Sequence, residues 1–425
     1  MAFISDIFGF MLHSIQPFGW VFYAATAMIS CWLMKDAWMA YREEVYKHGI
    51  VWTLVEIKIP RETMRGAKAM DQFLAGIYNL RNDPVGLKET YWDGEITRWF
   101  SFEIVGSQRT TRLFARLPKF LLHPFVSAFY AQYPDIEIYE TEEDYIDAYP
   151  KTYQELKAKG FEMYGLEIAQ SKNRAYSLRT YTDYETKVGD EKGRIIDPMA
   201  SIVEIIGRLK PDETVWLQFE AIPDTIGAWI KDADHIIKKM KETSPGEHQS
   251  KDSSTPFRLR FRTQGEEKTL ERVEDKKGKA IFETTIRCIY FAPKAIFNQD
   301  LPNRGVFGYI AQLNDDDQRV KKVNRVRTKV EWEGFPPLIF RFRRLFWKRV
   351  AMYDEYRKRF IPAKTIVGKI LNSYWLRLCF FHEPMILSSA ELATMFHIPT
   401  NVVLTAATME RIESKKLSAP SNLPR

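Results

Sequence analysis

RWFSFEIVG (98–106) and TRLFARLP (111–118) are two strand-like runs a few residues apart, and reading them as a pair organises the sequence on either side. Alternation puts Phe100 and Phe102 on one face of the first run and Trp99 and Ser101 on the other. Upstream, IVWTLVEIKIP (50–60) is rich in Val and Ile and stops at Pro60, as a strand does. Between the two, AKAMDQFLAGIYNL (67–80) repeats Met70, Phe73, Leu74, Ile77 and Leu80 at helical spacing. Downstream, FLLHPFVSAFYAQYP (120–134) reads as a helix despite Pro124, and DIEIYE (135–140) as a closing strand. The order is β-α-β-β-α-β, the split βαβ pattern in which two helices cover one face of a four-stranded antiparallel sheet.

A second α+β unit follows. FEMYGLEIA (161–169) and AYSLRTYTDYE (175–185) alternate as strands do, and PMASIVEIIGRL (198–209) reads as a helix capped by Asp197 with Pro198 in its first turn. DETVWLQFEAI (212–222) is the next strand, and a helix is expected near 225–241. A polar loop over 242–256 comes next, then the strand ETTIRCIYFAP (283–293). There Cys288 shares a face with Ile286 and Tyr290, a packing position rather than a nucleophile's. The expected fold class is therefore α+β, with two ferredoxin-like or related domains (49–150 and 151–300). A basic helical region (301–412) and a tail (413–425) complete the chain.

At 425 residues the chain exceeds the size of one ordinary core. Its 28 Phe, 20 Tyr and 11 Trp exclude wholesale disorder. Three cysteines with no CxxC pair suggest neither a disulfide framework nor a thiolate zinc site. The net charge of +7 is concentrated: Arg319–Phe360 holds fourteen Lys/Arg against four Asp/Glu.

The first 48 residues read as a membrane anchor. No charged residue occurs from Ile7 to Met34, and a spanning helix is expected over about 15–34. Lys35, Arg42 and Lys47 follow it, which orients the bulk of the chain to the cytoplasmic side of an inner membrane in single-pass fashion. A cleaved signal peptide and a buried core helix are the competing readings.

No sequence motif supplies a reaction. GxxxxGK[ST], HExxH and GxSxG are absent, and no cofactor or metal is implied. The acidic runs 139–149 and 314–318 lack ligand spacing and read as solvated loops. RWFSFEIV only partly matches an RNA-recognition strand, since Trp99 stands where a small residue is needed.

The basic segment offers Lys321, Lys322, Arg325, Arg327, Arg341, Arg343, Arg344, Lys348 and Arg349 to anionic lipid, to nucleic-acid phosphates or to an acidic partner. A solvated helix surface is the plain alternative. Phe342, Leu345, Phe346, Tyr353 and Tyr356 form an apolar stripe beside these cations. Near the end, SSAELATMFHIPT (388–400) reads as a short helix with Ser388 and Glu391 forming a capping box.

Several stretches together resemble a family of bacterial membrane proteins of conjugation-like type IV secretion: WTLVEIKIPRE, AQYPDIEI, IDPMASIVEIIGRLKPDETVWLQF, IRCIYFAPKAIFN, SSAELATMFHIP and SAPSNLP. In such chains this region is often followed by an FtsK/HerA-type motor ATPase domain, which does not follow here. The resemblance implies a non-catalytic scaffold or adaptor that positions a separately encoded ATPase, with Glu391, Leu392, Met395 and Phe396 as docking residues. The alternative is a nucleic-acid-binding module that contacts DNA through the basic region 319–349.

Overall fold

The computed structural model describes residues 19–60, 65–84, 86–185, 197–242, 263–326, 341–361, 364–368, 384–400 and 411–412. These fall into two compact units, a smaller one within Met1–Ile50, Pro84–Ile96 and Pro362–Leu376, and a larger one made of the rest.

The smaller unit is built on helix α1, Gly19–Gly49. Its second half packs locally. Trp38 donates through Nε1 to the Tyr91 carbonyl at 2.7 Å, and its ring lies 6.0 Å from that of Trp92. Gly94 sits at φ +67° with the Arg42 carbonyl 2.5 Å from where a Cβ would stand, so only glycine fits. From Lys35 onward α1 carries Lys35, Asp36, Arg42, Glu43, Glu44 and Lys47. Among the described residues no helix is long and apolar enough to cross a membrane. That finding overturns the spanning anchor and the single-pass inner-membrane location built on it; residues 15–18 of the expected span lie outside the described residues.

The larger unit is organised by one sheet. Its strands are β1 Trp52–Pro60, β2 Phe100–Ser107, β3 Thr110–Pro118, β4 Glu137–Glu140, β5 Phe161–Gln170, β6 Thr214–Pro223, β7 Ile281–Pro293, β8 Val320–Val326, β9 Met385–Ser388 and the two-residue β10 Arg411–Ile412. The main path runs β4-β1-β3-β2-β6-β7-β5-β8, antiparallel at every step. β9 adds antiparallel to β7, and β10 pairs parallel with the end of β1. Strands β1–β4 and β5–β8 are two quartets with the same internal order, 4-1-3-2, reading inward from opposite edges of the sheet. They meet where β2 pairs with β6, from Phe100↔Ala221 to Ser107↔Thr214.

The hairpin β2–β3 turns through Gln108 and Arg109, both at positive φ, the left-handed pair that a two-residue turn requires. In the second quartet the equivalent connection, β6 to β7, is long and carries α7 Ala228–Glu242 and α8 Gln264–Lys277. Helices α2 Ala67–Tyr78 and α3 Leu122–Gln132 follow β1 and β3; α6 Ala200–Gly207 and α9 Phe307–Ala311 follow β5 and β7. Met70, Phe73, Leu74 and Ile77 of α2 face inward, as their spacing requires. Two short helices, α4 Tyr153–Ala158 and α5 Tyr181–Glu185, flank β5; α5 replaces the strand expected over 175–185. Late in the chain come α10 Arg341–Lys358 and α11 Ser389–Met395.

Residues 320–326, expected to be helical, form β8. Val320, Val323 and Val326 are three apart, which imitates helical spacing. The register steps two residues on β5 but three on β8 between Glu167↔Val323 and Gly165↔Val326, so a bulge absorbs the extra residue.

The two faces of this sheet differ. One is apolar: Phe102, Ile104, Leu113, Leu217, Phe219, Ile286, Cys288 and Leu166 pack beneath helices. Burial there pushes the Cys288 thiol up to about 12, which removes it as a nucleophile. The terminal segment closes this face at the junction of the quartets. Phe396 lies 5.2 Å from Phe102 of β2 and 6.1 Å from Phe219 of β6, ring to ring. The other face mixes Val105, Phe114, Trp216 and Phe291 with charged side chains, and α4 and α10 pack against it.

Candidate functional site

Register places a row of polar side chains across the second face: Glu103 of β2 opposite Gln218 of β6, Gln218 opposite Arg287 of β7, and Arg287 opposite Glu167 of β5. Glu103 is fully buried. It accepts from Arg359 Nε at 2.5 Å and Nη2 at 2.9 Å, from Tyr145 at 2.7 Å, from Ser101 at 2.7 Å and from Gln218 at 3.1 Å. Arg359 also holds Asp144, at 2.6 Å and 3.2 Å, and adopts φ +48° to do so. Burial pushes the Glu103 carboxyl up, but Arg359 and the hydroxyl donors outweigh it and hold it at about 2. Glu220, one residue pair away along β6, has no such donor. Among the described residues neither of its carboxylate oxygens has a hydrogen-bond partner, and burial raises it to about 8. With Glu103 and Arg359 at most 3% exposed, this layer fastens the end of α10 to the sheet and does not face solvent.

The opposite end of α10 behaves differently. Leu345, Tyr353 and Tyr356 of the expected stripe point into the sheet, Phe346 is half-buried, and Phe342 in the first turn is 79% exposed. A groove of about 380 Å³ opens there, lined by α10 (Phe342, Leu345, Phe346, Arg349), α4 (Tyr153, Lys157), Glu162, and Lys294 and Phe297 beyond β7. Lys157 Nζ stands 5.5 Å from the Phe346 ring centroid. Arg349 is neutralised at the floor by Glu162 at 2.6 Å and donates to Tyr153 Oη at 3.1 Å. Lys157 and Lys294 are exposed and have no ion-pair partner among the described residues, and Arg343 beside Phe342 is exposed as well.

The residues singled out in sequence therefore separate. Arg343, Lys348 and Arg349 belong to α10, Lys348 half-buried and Arg349 buried. Arg341 and Arg344 are also on α10 and Arg325 is on β8, with side chains outside the described residues; Arg327 lies wholly outside them. Lys321 is exposed on β8, whereas Lys322 is turned onto the Phe307 ring at 4.4 Å and donates to Asn303 Oδ1 at 2.8 Å. Neither lines the groove. Lys157 and Lys294, which do, carry no local signal in the sequence.

Two expected surfaces are corrected. The face that alternation gives to Trp99 and Ser101, opposite Phe100 and Phe102, is not an open one: they are 5% and 1% exposed, with Trp99 against Trp52 at 4.5 Å. Glu391, Leu392, Met395 and Phe396 are each 0% exposed and present nothing to a docking partner. Glu391 completes the capping box with Ser388 and accepts from Leu178 N at 2.7 Å. It also pairs with the buried Lys276 at 3.1 Å. His397 bridges Ala393 O and Asp197 Oδ1, both at 2.9 Å. Burial pushes the Asp197 carboxyl up, but His397 and the amides of Thr400 and Met199 hold it below the usual range.

The acidic runs are ion-pair partners: Asp144 and Asp147 for Arg359 and Arg357, Asp315 for Arg179 and Arg272. Among the described residues no group of three or more His, Cys, Asp or Glu side chains is placed to hold a metal ion. No protein-family model matches the chain, and no curated protein matches it.

Proposed function

We propose that this protein is a non-catalytic scaffold that contacts single-stranded nucleic acid through the groove at the start of α10. The observation that carries the reading is the exposed Phe342 ring beside Phe346, Lys157 and Lys294. Exposed rings next to uncompensated cations suit bases that stack and phosphates that need neutralising, without sequence preference. The resemblance to transfer-system proteins supports the same role, in which a platform holds the transferred strand for a separately encoded motor. Such a motor would have to dock elsewhere than Ser388–Phe396, since that segment is interior.

The test is fluorescence anisotropy of a labelled 20-mer of deoxythymidine against the full chain. Binding is expected to weaken with salt, log affinity falling by about 0.7 per phosphate neutralised for each decade of salt. Phe342→Ala and Lys157→Glu/Lys294→Glu should each weaken it at least tenfold. Affinity that is independent of salt, or unchanged in both variants, refutes the reading.

A further inference from the structure

The floor of the groove holds an acceptor and a donor side by side, and neither stacking nor phosphate contact makes use of them. Glu162 of β5 keeps 21% of its side chain exposed, whereas Arg349 of α10 is 6% exposed. The two meet at 2.6 Å through Glu162 Oε2 and Arg349 Nη1, and Tyr153 Oη accepts from the same Nη1 at 3.1 Å. The pair is only partly used. Among the described residues, Glu162 Oε1 accepts no hydrogen bond and Arg349 Nε has no acceptor. A buried guanidinium with a spare N–H, beside a carboxylate with a spare oxygen, is an incomplete set. What completes it is a ligand edge that carries donors and an acceptor together.

Charge narrows the kind of edge. Glu162 and Arg349 cancel, so the floor has no net charge to attract a phosphate, and that role stays with Lys157 and Lys294. A neutral base is the better match. Stacked on the Phe346 ring in the same groove, a base brings its Watson–Crick edge to the pair. Guanine fits most fully: N1–H and the 2-amino group are two parallel donors that one carboxylate accepts together, and O6 beside them accepts from a guanidinium. Adenine, cytosine and thymine each offer a carboxylate a single N–H on that edge. We propose that the Glu162–Arg349 pair is a guanine-reading element, which seats a guanine base of the bound single strand on the floor of the groove. The inference rests on the reading of the groove as a single-strand site and adds a base preference to it.

The experiment is fluorescence anisotropy of the full chain with three labelled 20-mers: all deoxythymidine, the same with four isolated guanines, and the same with hypoxanthine at those four positions. Hypoxanthine keeps O6 and N1–H but lacks the 2-amino donor. The guanine strand should bind about tenfold more tightly than the other two. Its salt slope should match theirs, since the gain neutralises no further phosphate. Glu162→Gln, which sets an amide where two donors must be accepted, should bring the three strands within about twofold of one another. Guanine and hypoxanthine strands of equal affinity for the unaltered chain, or a preference that survives in Glu162→Gln, overturn the inference and leave the single-strand reading standing. Absence of binding to all three strands overturns both. Free guanosine monophosphate that displaces the guanine strand as effectively, mole for mole, as the unlabelled strand would make the ligand a nucleotide and overturn the inference as well. The three-strand comparison on the unaltered chain decides the matter even where Glu162→Gln folds poorly.

Discussion

The apolar and the charged face of the sheet are made by the same strands, yet they hold the protein together by opposite means. Beneath α2 and α11, stability comes from area removed from water, and any residue of suitable shape contributes. Beneath α10 it comes from satisfying charges that are costly to bury, so the contribution depends on every partner being present. Phe396 between Phe102 and Phe219 represents the first, and Arg359 between Glu103 and Asp144 the second. The lesson of the pairing is that α10 has two jobs at its two ends: a charge clamp at Arg359 and an open groove at Phe342.

The largest effect expected from breaking this comparison is at the clamp. Arg359→Met leaves Glu103 buried without its cation and should cost about 3–5 kcal/mol in urea unfolding. Adding Glu103→Gln should recover much of that loss, because both charges are then gone. On the apolar face, Phe396→Ala should cost about 3–5 kcal/mol with no second-site polar rescue. Failure of Glu103→Gln to rescue would mean that the two faces do not differ in kind.

The pH dependence sharpens the contrast within the charged face. Glu103 is held near 2 against an ordinary 4.5, so it contributes stability above pH 4.5 that is lost as pH falls toward 2. Glu220 is raised to about 8, so the folded chain keeps a proton that the unfolded chain releases, and stability falls as pH rises from about 4.5 to about 8. Glu220→Gln should therefore stabilise the protein at pH 8 by up to roughly 4 kcal/mol and flatten the melting temperature between pH 5 and 8. A variant that keeps the parent's slope over that range would place the titrating group elsewhere. The smallest effect is local to the terminal segment: Ser388→Ala removes one half of the capping box and should cost about 1 kcal/mol, read as a melting-temperature shift of a few degrees.

Much of the apolar face was legible in the sequence because a helix or strand writes its buried side as a period. Met70, Phe73, Leu74 and Ile77 show it in α2, and Phe100 and Phe102 show it in β2. The charged face was not legible. Ser101 and Glu103 look like residues of an open side, and what closes over Glu103 comes from far along the chain: Tyr145, and Arg359 at the end of α10, 256 residues later. The same distance hid the groove: Lys157 and Lys294 join Phe342 through the packing of β5 and β7, not through any shared segment. β8 was misread because a bulge lets valines three apart satisfy a two-residue repeat. In α1 the apolar run was plain, but among the described residues no helix is long and apolar enough to cross a membrane.

The central claim is that the two ends of α10 do different work, and hydrogen-exchange mass spectrometry of the full chain with and without a deoxythymidine 20-mer tests it most directly. Added oligonucleotide should slow exchange in peptides covering Phe342–Arg349 and Tyr153–Lys157, and leave the Tyr353–Arg359 end, protected in both states, unchanged. Slowed exchange confined to other segments, or none at all at saturating oligonucleotide, would contradict the account.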